Sequence, residues 1–172
     1  MKNFLIIIAI TFFTYSCGGN RSNAIDPTPI IVKVQIIKID EKVKESDQVF
    51  IDAAVKAILE LDSNPTSNYD FEKLNLLLEK ATSNINQAIL ELNNIVDNEI
   101  SENYKNSYKS VLFARKELFL EFAKWIDLVQ KDRQSSNLEQ IRNTVFEKAN
   151  TLNEKQIQFS KSQSEFNKKY KL

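Results

Sequence analysis

Apolar residues recur through most of this chain at steps of three and four. The strictest run is Phe71, Leu74, Leu78, Ala81, Ile85, Ala88, Leu92 and Ile95. It predicts an amphipathic helix over about 67–97 with a narrow, coiled-coil-like seam. A wider and more aromatic stripe, Tyr104, Tyr108, Val111, Leu118, Phe122, Trp125 and Val129, predicts a helix over about 101–132. Arg115 falls on that stripe and reads as an edge residue whose stem is covered while its head reaches water. Leu138, Ile141, Val145, Ala149, Leu152, Gln156, Phe159, Gln163, Phe166 and Tyr170 predict a helix over about 137–170. Ser136-Asn137-Leu138-Glu139 has the form of a capping box at its start, and its last turn is expected to fray.

The stretch Ile30 to Ile39 is ambiguous. It is β-branched and partly alternating, as a strand would be. It also fits a helical seam of Val32, Ile36, Ile39, Val43, Ser46, Phe50, Ala53 and Ala57. Nothing downstream offers a strand partner, which favours one long helix over about 29–61, with Thr28 as N-cap and Pro29 at the first helical position. Pro65 in Asp62-Ser63-Asn64-Pro65-Thr66 breaks that helix, Ser67 to Asp70 reopen the chain, and Asp97 to Ser101 make a weaker break. Four helices of about 30–35 residues joined by short breaks describe an all-α, up-down-up-down four-helix bundle over 29–172.

A different pattern precedes the bundle. Lys2 is followed by an apolar run from Phe4 to Phe13 and then by Thr14-Tyr15-Ser16-Cys17-Gly18-Gly19. The run is shorter than the ~20 apolar residues that span a bilayer. This segment resembles a bacterial lipoprotein signal, although Thr14 stands where Leu is more frequent and Tyr15 where a small residue is usual. The resemblance implies a signal peptide over 1–16, and a lipid on Cys17 that makes it the first residue of the mature protein. Residues 17–28 are polar and small, a flexible tether extending on the order of 35 Å at ~3.3–3.6 Å per residue.

Composition narrows the function classes. The 172 residues contain no histidine, one cysteine and two glycines, both beside Cys17. Without histidine, Ser-His-Asp and Cys-His catalysis, His-ligated zinc and Glu-x-x-His di-iron sites are excluded. Without glycine beyond Gly19, a phosphate-cradling loop of the P-loop or dinucleotide type is excluded as well. The formal net charge is zero, which leaves no general footprint for nucleic acid. A lone cysteine makes no internal disulfide, so packing alone must hold the exported domain. The chain therefore reads as a non-enzyme without a cofactor or metal, a monomer or homodimer meeting the membrane through Cys17.

Phe113 and Leu120 fall nearly opposite the inward stripe of the third helix, among Lys109, Lys116 and Lys124. Two apolar anchors ringed by lysines form a candidate surface for a protein partner. Single exposed apolar residues also occur without function. The tail Lys168, Lys169 and Lys171 reads as a solvated helix end suited to the dipole. An aromatic interior around Tyr104, Tyr108 and Trp125 raises the further idea of a small-ligand carrier, set against ordinary core packing.

The Tyr-Ser-Cys ending of the signal, the Gly-Asn-Arg-Ser-Asn tether and the Asn/Lys/Ile-rich helical body resemble the outer-surface lipoproteins of Borrelia spirochaetes. That resemblance implies display at the cell surface on the outer membrane and binding of host components; no residue of a binding site carries over from it. The alternative is a periplasm-facing structural or assembly lipoprotein of the cell envelope.

Overall fold

The computed structural model describes residues 28–64, 66–95 and 101–172. The expected signal peptide, Cys17 and the tether up to residue 27 lie outside the described residues, as do Pro65 and most of the break at 97–101. The described residues form four α-helices and no strand: α1 (Thr28–Ser63), α2 (Phe71–Asn93), α3 (Glu102–Lys131) and α4 (Asn137–Tyr170). Residues 30–39 are helical, so the seam outweighs the local β-propensity once Val32, Ile36 and Ile39 are buried in the bundle core.

Side-chain pairs set the topology. Lys42 in the first half of α1 meets Glu91 near the end of α2. Lys109 and Lys116 of α3 bond Asn93 and Asn86 of α2, and Gln163 of α4 bonds Tyr104 near the start of α3. Each consecutive pair is thus antiparallel, which gives the up-down-up-down four-helix bundle. α1 and α3 run parallel across the diagonal, where Phe50 sits edge-on to Phe119 and Phe122 at ring separations of 4.9 and 5.3 Å. Phe50 is fully buried, and such edge-to-face pairs add to its area burial. The backbones of α1 and α4 approach less closely than those of consecutive helices, which leaves one side of the bundle grooved.

Several local expectations are corrected. α2 has 23 residues and begins at Phe71 instead of about 67. Asp70 is its N-cap, accepting from the Lys73 amide at 3.0 Å, while residues 66–70 stay outside the helix at the bundle end. There Asn64 Oδ1 accepts from the Thr66 hydroxyl, the Tyr69 hydroxyl donates to Ala53 O, and Arg133 bonds Ser67 O and lies over the Phe71 ring. The four helices are therefore less equal than their pattern suggests.

The α1 seam steps by four after Phe50, so Ala54 is the buried residue and Ala53 only half-buried. The Ser136 capping box does not form. Ser136 already has helical dihedrals, and the Ser135 carbonyl accepts from the Leu138 amide in a tight turn before the helix. At the far end of α4, Lys171 adopts the left-handed conformation, φ 55°. Glycine usually fills such a position, and the Leu172 amide closes the turn on Asn167 O at 2.9 Å. α2 likewise ends without glycine: buried Lys105 donates its ammonium to Ile95 O at 2.7 Å, satisfying a terminal carbonyl with charge.

Candidate functional site

The residues expected from sequence to form a partner surface, Lys109, Phe113, Lys116, Leu120 and Lys124, all lie on α3. Phe113 and Leu120 are 47% and 52% exposed, because the inward stripe of α3 lies on the opposite side of the helix. Lys109 reaches Asn93 Oδ1 at 3.0 Å and Lys116 reaches Asn86 Oδ1 at 2.9 Å. These two bridges follow the register that the buried seam sets for the helix pair. Phe113 lies between the two lysines in sequence, and Leu90, 59% exposed, lies between the two asparagines. Phe113 and Leu90 therefore stand abreast on one face. Lys124 does not join them; its ammonium pairs with Glu121 at 2.7 Å on the same helix. Leu90 was not singled out in the sequence because α2 alone gives no sign of which outward residue lies beside Phe113.

On the opposite side, the groove between α1 and α4 has α3 as its floor. A cavity of about 430 Å³ lies toward the tether end, lined among others by Ile37, Asp40, Lys44, Arg115, Gln156 and Gln163. A second, of about 480 Å³, lies toward the far end beside Leu61, Trp125, Leu138 and Arg142, where Arg142 pairs with Asp62.

Arg115 corrects its sequence reading: it is 2% exposed and held by charge on both sides. Its Nη2 lies 3.4 Å from Asp40 Oδ1 and its Nε 3.3 Å from Asp47 Oδ2, while Lys44 covers Asp40 at 2.6 Å. Arg115 Nη1, Asp47 Oδ1 and the Tyr108 hydroxyl are buried without a hydrogen-bond partner. Burial pushes the Asp47 carboxyl up to about 6; Arg115 opposes that rise and the Asp40 charge adds to it. Burial also raises the Tyr108 phenol, again with a contribution from Asp40, and takes Tyr104 up to about 12 against the hydrogen bond from Gln163. A sequence signal for the two carboxylates existed. An arginine on an inward stripe requires acidic partners, and Asp40 and Asp47, seven residues apart, share one face of α1.

The aromatic interior does not converge on a ligand site. Tyr104 stacks on Phe159 and Phe166 at 5.4 and 4.7 Å, and Tyr108 packs on Phe159 at 5.0 Å. Trp125 lies 17 residues beyond Tyr108 on the same helix, roughly 25 Å away. Among the described residues no group of three or more carboxylates is placed to hold a metal ion. No helix of the described residues is long and apolar enough to cross a membrane.

No protein family, curated protein or solved structure matches this chain.

Proposed function

We propose that the chain is a lipid-anchored, non-catalytic helical module of the outer membrane that binds a protein partner at the cell surface through the outer face of α2 and α3. One observation carries the reading: Phe113, Leu120 and Leu90 stay exposed on a face crossed by the Lys109–Asn93 and Lys116–Asn86 bridges. Rigid apolar anchors within a polar rim are what an interface core needs, since little conformational freedom is lost on docking. The segment ending at Cys17 supplies the anchor in this reading, and the residues after it supply the reach.

Protease treatment of intact cells tests the location. Degradation of the bundle while a periplasmic control survives supports surface display. Protection of the bundle while a surface control is digested sinks it, and the partner is then to be sought by cross-linking within the envelope.

A further inference from the structure

Charge is distributed unevenly along the bundle axis. At the end where the chain enters α1, that helix carries Lys33 and Lys38 before its first acidic residue, Asp40. α4 returns to the same end and closes with Lys161, Lys168, Lys169 and Lys171, opposed in that stretch by Glu165 alone. α1 and α4 border one groove, so these six lysines crowd the same end of two neighbouring helices, a basic corner in which Lys33 falls on the groove side of α1 and Lys38 on the flank it shares with Lys42. Of the acidic residues toward this end, Asp40 and Glu41 line the groove, Asp40 being held by Arg115 and Lys44, and others belong to the far side. Glu91 and Glu102 lie near the end of α2 and at the start of α3, and in sequence Asp97 and Glu99 connect them. The opposite end is acidic: α1 finishes with Glu60 and Asp62, α2 opens on Asp70 and Glu72, and α4 opens on Glu139.

The corner lysines are also unneutralised. Lys42, Lys44, Lys124, Lys131 and Lys148 each hold a carboxylate within 3.4 Å. Among the described residues none of the six corner lysines is in an ion pair; Lys169 instead rests over the Tyr170 ring at 5.3 Å. The helix dipole accounts for cations in the last turn of α4, but not for Lys33, Lys38 or Lys161, which lie outside any helix C-terminus.

We propose that this corner docks on anionic phospholipid headgroups and so fixes how the bundle stands on its membrane. The α1/α4 corner then faces the lipid, and the acidic end and the α2/α3 face point away. The inference rests on the lipid-anchor reading above. Attraction between lysines and an anionic surface acts only within about a Debye length, ~10 Å at 0.1 M salt. The chain that would hold the anchor ends at Thr28, at this same corner, and reaches on the order of 35 Å. Docking is thereby intramolecular, and an attraction too weak to recruit a free protein suffices to orient a tethered one.

The test uses the full chain purified from its bacterial membrane and placed on phosphatidylcholine vesicles with or without phosphatidylglycerol. Acetylation rates of individual lysines are read by mass spectrometry. With phosphatidylglycerol at low salt, the six corner lysines should label at least about threefold more slowly, while Lys56 and Lys73 at the far end are unchanged. High salt should erase the difference. Equal rates on both vesicle types, with the protein membrane-bound, overturn the proposal, as does protection by soluble heparin but not by vesicles.

The mass of the Cys17 peptide reports separately on the anchor. If Cys17 is unmodified, the anchor reading fails, and the corner is judged by co-sedimentation with phosphatidylglycerol vesicles. Binding lost on changing the six lysines to Gln supports the corner, and absent or salt-insensitive binding refutes it.

Discussion

Arg115 Nε lies 3.3 Å from Asp47 Oδ2, and this pair ties α3 to α1 across the diagonal of the bundle. Diagonal helices have no shared loop and little backbone contact, so side chains alone hold their relative height. The Phe50 contacts with Phe119 and Phe122 fix the same pair of helices three to seven residues further on. Charge and aromatic packing therefore specify one register together.

Breaking the charge set should be costly. Arg115→Met leaves Asp47 buried without its counter-ion, and a loss of about 3–5 kcal/mol is expected from urea unfolding midpoints. Adding Asp47→Leu to that variant removes the stranded carboxylate, and most of the loss should return. A double variant as weak as the single one would show that the pair is not what holds this position.

Asp47 also predicts a pH dependence with a definite sign. Its folded value of about 6 lies above the 3.8 of the free carboxyl, so the folded state holds the extra proton between those values. Its contribution therefore favours folding at low pH and is lost as pH rises through about 6. Asp47→Asn cannot titrate. The stability difference between wild type and this variant should shift by roughly 2–3 kcal/mol between pH 4 and 7, wild type losing ground as pH rises. A difference that stays flat across that range would remove Asp47 from the account.

The exposed anchors should be separable from the core. Phe113→Ser with Leu120→Ser is expected to move stability by no more than about 1 kcal/mol, since neither side chain is buried. Phe50→Ala, at a fully buried ring, should cost about 3–5 kcal/mol. In the surface-display reading, partner capture from intact host cells should fall with the double Ser variant at unchanged melting temperature. Capture that survives the change would place the binding face elsewhere.

Anchorage is expected to depend on one atom. Cys17→Ser should abolish incorporation of radiolabelled palmitate and move the chain out of the membrane fraction. Persistence in the membrane without label would point to the apolar run before it as the anchor.

The helical class was legible because all four seams step by three and four residues, and α2 alternates them most strictly. Phe113 and Leu120 were legible for the same reason, as positions opposite a well-defined stripe. Arg115 was not. Periodicity marks which side of a helix turns inward but says nothing of what another helix brings to meet it, and a buried guanidinium depends on Asp40 and Asp47 some seventy residues earlier. Local capping was also partly misread. Ser136 and Glu139 have the spacing of a reciprocal cap, yet the tight turn at Ser135 starts the helical path before that cap can form. The start of α2 moved for a comparable reason, since Tyr69 and Ser67 find partners in Ala53 and Arg133 that one more helical turn would deny them.

The single tryptophan of the chain is buried near the far end, while the buried tyrosines Tyr104 and Tyr108 lie near the end where α1 begins. The far half thus carries the indole with Tyr69, and the near half Tyr104, Tyr108 and Tyr170. Indole emission follows the loosening of one half, and near-ultraviolet dichroism of the phenols follows mainly the other. Overlaid melting curves would mean that the rod opens as one cooperative unit, and a gap between them would reveal an unzipping that starts from one end.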